Sequence, residues 1–103
     1  MARNENVFAW MPVEVEFQKE KAAALRHTGD KLEKALAALA GAERELLATQ
    51  GAARATRLVR YRELRKEAEQ VRWGLMVQRE ACGIRGGDAE MDRAYPLPPL
   101  VRE

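Results

Sequence analysis

The chain has very little of the side chains that most often carry chemistry. Its 103 residues include one cysteine, Cys82, and one histidine, His27. A lone cysteine closes no internal disulfide, so a reducing compartment is expected. One thiol and one imidazole also fall short of the three or four donors a metal site needs, so no metal and no cofactor are expected. A Cys82–His27 pair would need hydrogen-bond reach. The helical layout derived below puts His27 opposite position 76 instead, on an outer face. Aromatics are only 6% of the chain.

Long apolar runs are missing too. The longest, ALAALAGA at 35–42, is far short of the ~20 residues of a membrane span. VFAWM at 7–11 has no basic lead and is shorter than the core of a signal peptide. A cytoplasmic chain that avoids membranes is the expectation. The formal net charge of +2 is too small to imply a polyanionic partner.

What is present is helix-forming sequence. Eighteen residues are alanine, while Leu, Ile, Val and Phe together number twenty-one. That aliphatic share is near the lower limit for an ordered core. A single thin domain spanning 1–103 is expected, with a partner chain to complete it.

No proline occurs between Pro12 and Pro96. Proline suits a first helical turn, and Glu14 and Glu16 follow where negative charge is favourable. The expectation is an N-terminal segment over 1–12 and a first helix over 13–50. Within it Leu25, Thr28, Leu32, Ala35, Leu39, Ala42, Leu46 and Thr49 recur in steps of three and four. Leucine alternates with a small residue, which lets a second backbone approach closely.

Thr49, Gln50 and Gly51 end the pattern, Gly51 as a left-handed cap. Gly41 is a weaker break, and Gly29 has no evident reason for its place. A second helix over 53–82 carries the stripe Tyr61, Leu64, Ala68, Val71, Leu75, Gln78, Cys82. Short connections make antiparallel neighbours, so the fold class is all-α: a helical hairpin with arms roughly 55 and 45 Å long. Gly83 followed by Ile84 stops the second helix. Asp88 caps a short helix over 88–95, and a proline-rich tail occupies 96–103.

The end of the second helix is apolar on two sides. Trp73, Met76 and Val77 point away from the seam, and such a helix should be covered on both. The expected cover is the chain's own ends, VFAWM and YPLPPLV, folded over Trp73. That makes the open end of the hairpin the main core. Pairing two hairpins into a four-helix bundle would support the plainer turn end, so a homodimer is expected.

Gln78 on the seam must find hydrogen-bond partners. Arg79 and Glu80 read as surface charges or ties to the tail. The partner-binding candidates are Trp10, Trp73, Met76, Val77, Gln78 and Tyr95, for a protein partner whose identity the sequence does not give. The functional expectation is a non-enzymatic interaction or scaffolding module.

The alternative is a nucleic-acid accessory role for Arg54, Arg57, Arg60, Arg62, Arg65, Lys66 and Arg72. Phosphate binding wants one basic stripe, yet these seven spread round the helix. The pairs Arg60–Glu63, Arg65–Glu69 and Lys66–Glu69 can neutralise several. An enzyme would need Gln78, Arg79, Glu80 and Cys82 to converge on one concave pocket. YPLPP reads as a structural strap more readily than as a groove-binding ligand.

EVEFQKEKAAALRHTGDKLEKALAALA, a second helix ending W-x-x-x-V-Q-R-E-A-C-G-I-R, a short helix and Y-P-L-P-P-L-V together resemble a family of small bacterial helical proteins of unknown function. The likeness covers about 13–101, and Gln78 to Arg85 is its specific part. It implies one domain, a bacterial setting and the two-helix layout, and no chemistry.

Overall fold

In the computed structural model, the backbone is described for residues 2–84 and 86–101, and side chains from Pro12 onward within them. Three helices follow one another: α1 (Ala2–Ala48), α2 (Ala52–Ala81) and α3 (Gly87–Ala94). There is no strand among the described residues. The two long helices pack on each other as an antiparallel hairpin. The molecule is a rod, 75 × 21 × 15 Å.

The turn is where the small residues place it. Gly51 adopts φ 76° and ψ −151° between α1 and α2, a positive-φ region that is essentially restricted to glycine and costs another residue about 1–3 kcal/mol. Across the turn, Arg57 bonds Glu45 at 2.5 Å. At the other end the Gly83 N–H donates to the Glu80 carbonyl and the Ile84 N–H to that of Arg79, at 3.0 and 2.9 Å. With Gly83 at φ 80°, this is the glycine stop expected from Gly83-Ile84.

The heptad face of α1 is the buried one. Leu32, Leu39, Ala42 and Leu46 are in the core, with Tyr61, Ala68 and Leu75 from α2 and Met91 from α3. Two clusters result. Leu39, Ala42, Leu46, Tyr61 and Ala68 form one, with Leu97 and Val101 of the tail packed on it. Leu32, Leu75 and Met91 form the other, joined by Leu25, Met76 and Tyr95. Gly29 is buried, and a Cβ there would sit 3.5 Å from the Tyr95 hydroxyl. That is ordinary contact distance, so Tyr95 packs beside Gly29 with room for a methyl group.

Several expectations fail. α1 begins at Ala2 and runs through Pro12. A proline inside a helix removes one hydrogen bond and crowds the preceding turn but does not forbid the helix. Among the described residues the N-terminal stretch continues as helix instead of folding back, and residues 12–20 are exposed throughout. Asp88 is not the cap of α3: it lies in the first turn, behind Gly86, where its charge still suits the dipole.

The largest correction concerns the tail. From α3 it doubles back along the groove between α1 and α2 toward the turn, as its contacts with Tyr61, Arg62 and Arg65 show. It never covers Trp73, which is 63% exposed. The main core therefore lies in the middle and turn half of the hairpin, not at the open end. Donor side chains in the groove, Tyr61, Arg62, Arg65 and Arg72, hold the carbonyls of the proline-rich segment there.

Candidate interaction site

Two surfaces stand out, the strapped groove and the uncovered back of α2. In the groove, the Tyr61 hydroxyl donates to the Pro99 carbonyl at 2.6 Å. Arg65 Nε donates to Pro98 O and Arg62 Nε to Val101 O, both at 3.0 Å. Arg72 Nε donates to Tyr95 O at 3.1 Å and its guanidinium also pairs with Asp92. Arginine side chains are donor-only, and a proline-rich segment keeps its carbonyl acceptors while it lacks N–H donors at the prolines. The Tyr61 hydroxyl is held above its usual pKa chiefly by burial, with Glu43 adding to the shift and Arg65 opposing it.

This accounts for much of the basic run. Arg62, Arg65 and Arg72 serve the tail, Arg65 also pairs with Glu69, and Arg57 pairs with Glu45. Arg54 also takes part in an interaction. Arg60 and Lys66 are exposed. The expected Arg60–Glu63 and Lys66–Glu69 pairs do not form among the described residues. The seven basic residues therefore present no common stripe toward solvent.

The partner-binding candidates divide. Trp73 and Val77 are exposed at 63% and 41%, on the side of α2 away from both α1 and the tail. Val59 is exposed too, at 55%, and eighteen residues before Val77 it sits five turns away on the same line. Met76, expected to point away from the packing, faces α3 and joins the second cluster. Tyr95 is half-buried in that cluster rather than displayed beside Trp73. The side chain of Trp10 lies outside the described residues.

Gln78 departs from expectation in another way. Its amide oxygen is buried with no hydrogen-bond partner. Gln78 lines a shallow cleft of about 400 Å³ with His27, Lys31 and Gln70. Arg79 turns elsewhere and bonds Glu90 at 3.0 Å. Glu80 is exposed beside the glycine loop, and Cys82 is a half-buried free thiol at the end of α2. The four residues do not share a pocket.

α1 overhangs the open end. Val13 and Phe17 are exposed at 75% and 53%. Lys21 Nζ sits 4.5 Å from the Phe17 ring centroid, a cation–π contact worth about 0.5–1 kcal/mol at an exposed site. No described helix is long and apolar enough to cross a membrane.

Sequence reasoning put Tyr61 on the seam but missed it, with Arg62, Arg65 and Arg72, as the tail's anchors. The available signal was a donor-rich helix in a chain that also carries closely spaced prolines at 96, 98 and 99. Comparison with known protein families, curated proteins and solved structures finds no match to this chain. The resemblance carried by Gln78 to Arg85 gains no support from them.

Proposed function

We propose that this chain is a non-enzymatic interaction module that acts as a homodimer, paired through the back of α2. The observation that carries the reading is the uncovered Trp73–Val77 surface on a helix already packed on its other sides. An exposed indole beside an exposed aliphatic side chain, rimmed by polar residues, is the kind of surface that a partner covers. The chain's own core is thin, with eight buried apolar residues among those described.

Charge placement favours a second copy as the occupant. A two-fold axis demands a self-complementary face. Lys66 and Glu80 are both exposed and stand seven residues either side of Trp73. Antiparallel pairing centred on Trp73 sets Lys66 of one copy opposite Glu80 of the other, two turns out on each side. The two indoles meet at the centre, in a four-helix arrangement of two hairpins.

The test is the Trp73→Glu variant followed by light scattering. Loss of the dimer with helicity retained supports the reading. An unchanged mass removes it. Binding of nucleic acid is less favoured, because the arginines it would use hold the tail and neighbouring carboxylates.

A further inference from the structure

The tail is held in an unusual manner for a structural element. The Tyr95 N–H closes α3 onto the Met91 carbonyl, and the four side-chain hydrogen bonds from α2 that fasten residues 95–101 all fall on main-chain carbonyls, those of Tyr95, Pro98, Pro99 and Val101. None falls on a tail side chain. The donors are three guanidinium Nε atoms and one phenol, which form a line along one helix. The segment is only part-buried: Leu97 and Val101 pack inward, while Pro96, Pro99 and Leu100 are exposed. Proline-interrupted peptides donate few hydrogen bonds and leave their carbonyls free as acceptors, so a groove that presents arginine and tyrosine donors beside apolar hollows recognises them at little ordering cost. The connection to the rest of the chain runs through Gly83, Gly86 and Gly87, all at positive φ. α3 is itself docked on the hairpin through Met91, and beyond it the tail is held through its carbonyls, as a docked peptide would be.

We propose that the groove lined by Tyr61, Arg62, Arg65 and Arg72 is a recognition site for extended, proline-interrupted peptides. The ligand carries aliphatic side chains four residues apart, as Leu97 and Val101 are. Residues 95–101 fill the site as an intramolecular pseudo-ligand. A partner protein's segment of the same kind competes with it. The tether raises the tail's effective concentration to roughly the millimolar range for a short linker, so the site is closed until the tail is displaced. This surface is separate from the Trp73 face, and either can fail without the other.

The probe is a fluorescein-labelled peptide with the sequence of residues 95–101, titrated by anisotropy into two full-length chains. One is unaltered; the other is Leu97→Asp, Val101→Asp, which disables the strap. The expected result is binding to the double variant at least tenfold tighter than to the unaltered chain. Adding Tyr61→Phe or Arg65→Ala to the double variant weakens it at least threefold. Equal binding to both chains, or binding to neither with helicity intact, overturns the proposal. So does equally tight binding of a peptide with the same residues in scrambled order.

If the double variant loses its helices, a second measurement decides. A protease site is inserted between Ala94 and Tyr95 of the otherwise unaltered chain and then cut, so that α3 stays attached and only the strap is released. The released piece is expected to stay with the hairpin through gel filtration and to be displaced by excess unlabelled peptide. Separation of the piece from a still-helical hairpin, or no displacement at a hundredfold excess, overturns the proposal.

Discussion

The Tyr61 hydroxyl donates to the carbonyl of Pro99, thirty-eight residues later, at 2.6 Å. The tyrosine ring is fully buried among Leu39, Leu46 and Ala68, so a single side chain joins the core to the strap. Removing only the hydroxyl tests that link. Tyr61→Phe keeps the ring and strands the Pro99 carbonyl, which is itself near solvent. A loss of about 1 kcal/mol is expected, read as a lower urea midpoint with an unchanged slope. No loss would mean that the strap is not coupled to the core.

The same hydroxyl makes stability depend on alkaline pH. Burial holds its pKa above the ordinary 10.0 in the folded chain, so the neutral form is the one that folding favours. That contribution is fully present below the unfolded value and is lost as pH rises through the folded one. Urea midpoints from pH 8 to 11 are expected to fall more steeply for the unaltered chain than for Tyr61→Phe. Parallel curves would contradict the burial of an ionisable hydroxyl.

Much of this architecture was legible in the sequence, and the failures have physical causes. Leu32, Leu39 and Leu46 recur at the helical period, and they are buried. Gly51 and Gly83 read as left-handed stops, and both have positive φ. Pro12 misled because a first-turn proline and an interior one look alike without the backbone. Trp73 misled for a deeper reason. Apolarity says that a side chain seeks cover but not which chain supplies it. The tail's destination was set instead by hydrogen bonding, by Arg62, Arg65 and Arg72 meeting carbonyls, and no hydrophobic pattern records that.

Gln78 offers a test of a polar group left in the seam. Its buried Oε1 accepts no hydrogen bond among the described residues, and an unpaired buried acceptor costs about 1–3 kcal/mol. Methionine has a similar length and no amide. Gln78→Met is expected to raise stability by about 1 kcal/mol in urea unfolding. A loss of stability would show that the amide is satisfied in solution and fixes the register of the two helices.

Lys66 and Glu80 test the pairing of two copies. Both are exposed and equidistant from Trp73 along α2. Lys66→Glu is expected to weaken dimerisation several-fold by setting like charges opposite each other, and Lys66→Glu with Glu80→Lys to restore it. A double variant no better than the single would place the axis elsewhere, because coupling of the two changes is what opposition requires.

The exposed Trp73 face is worth explaining only if something covers it in solution. Sedimentation equilibrium of the unaltered chain, from low micromolar concentration upward, measures that directly. The expected result is a mass that rises from the chain's 11.6 kDa and levels off at twice that value. A single-chain mass at every concentration would contradict the account.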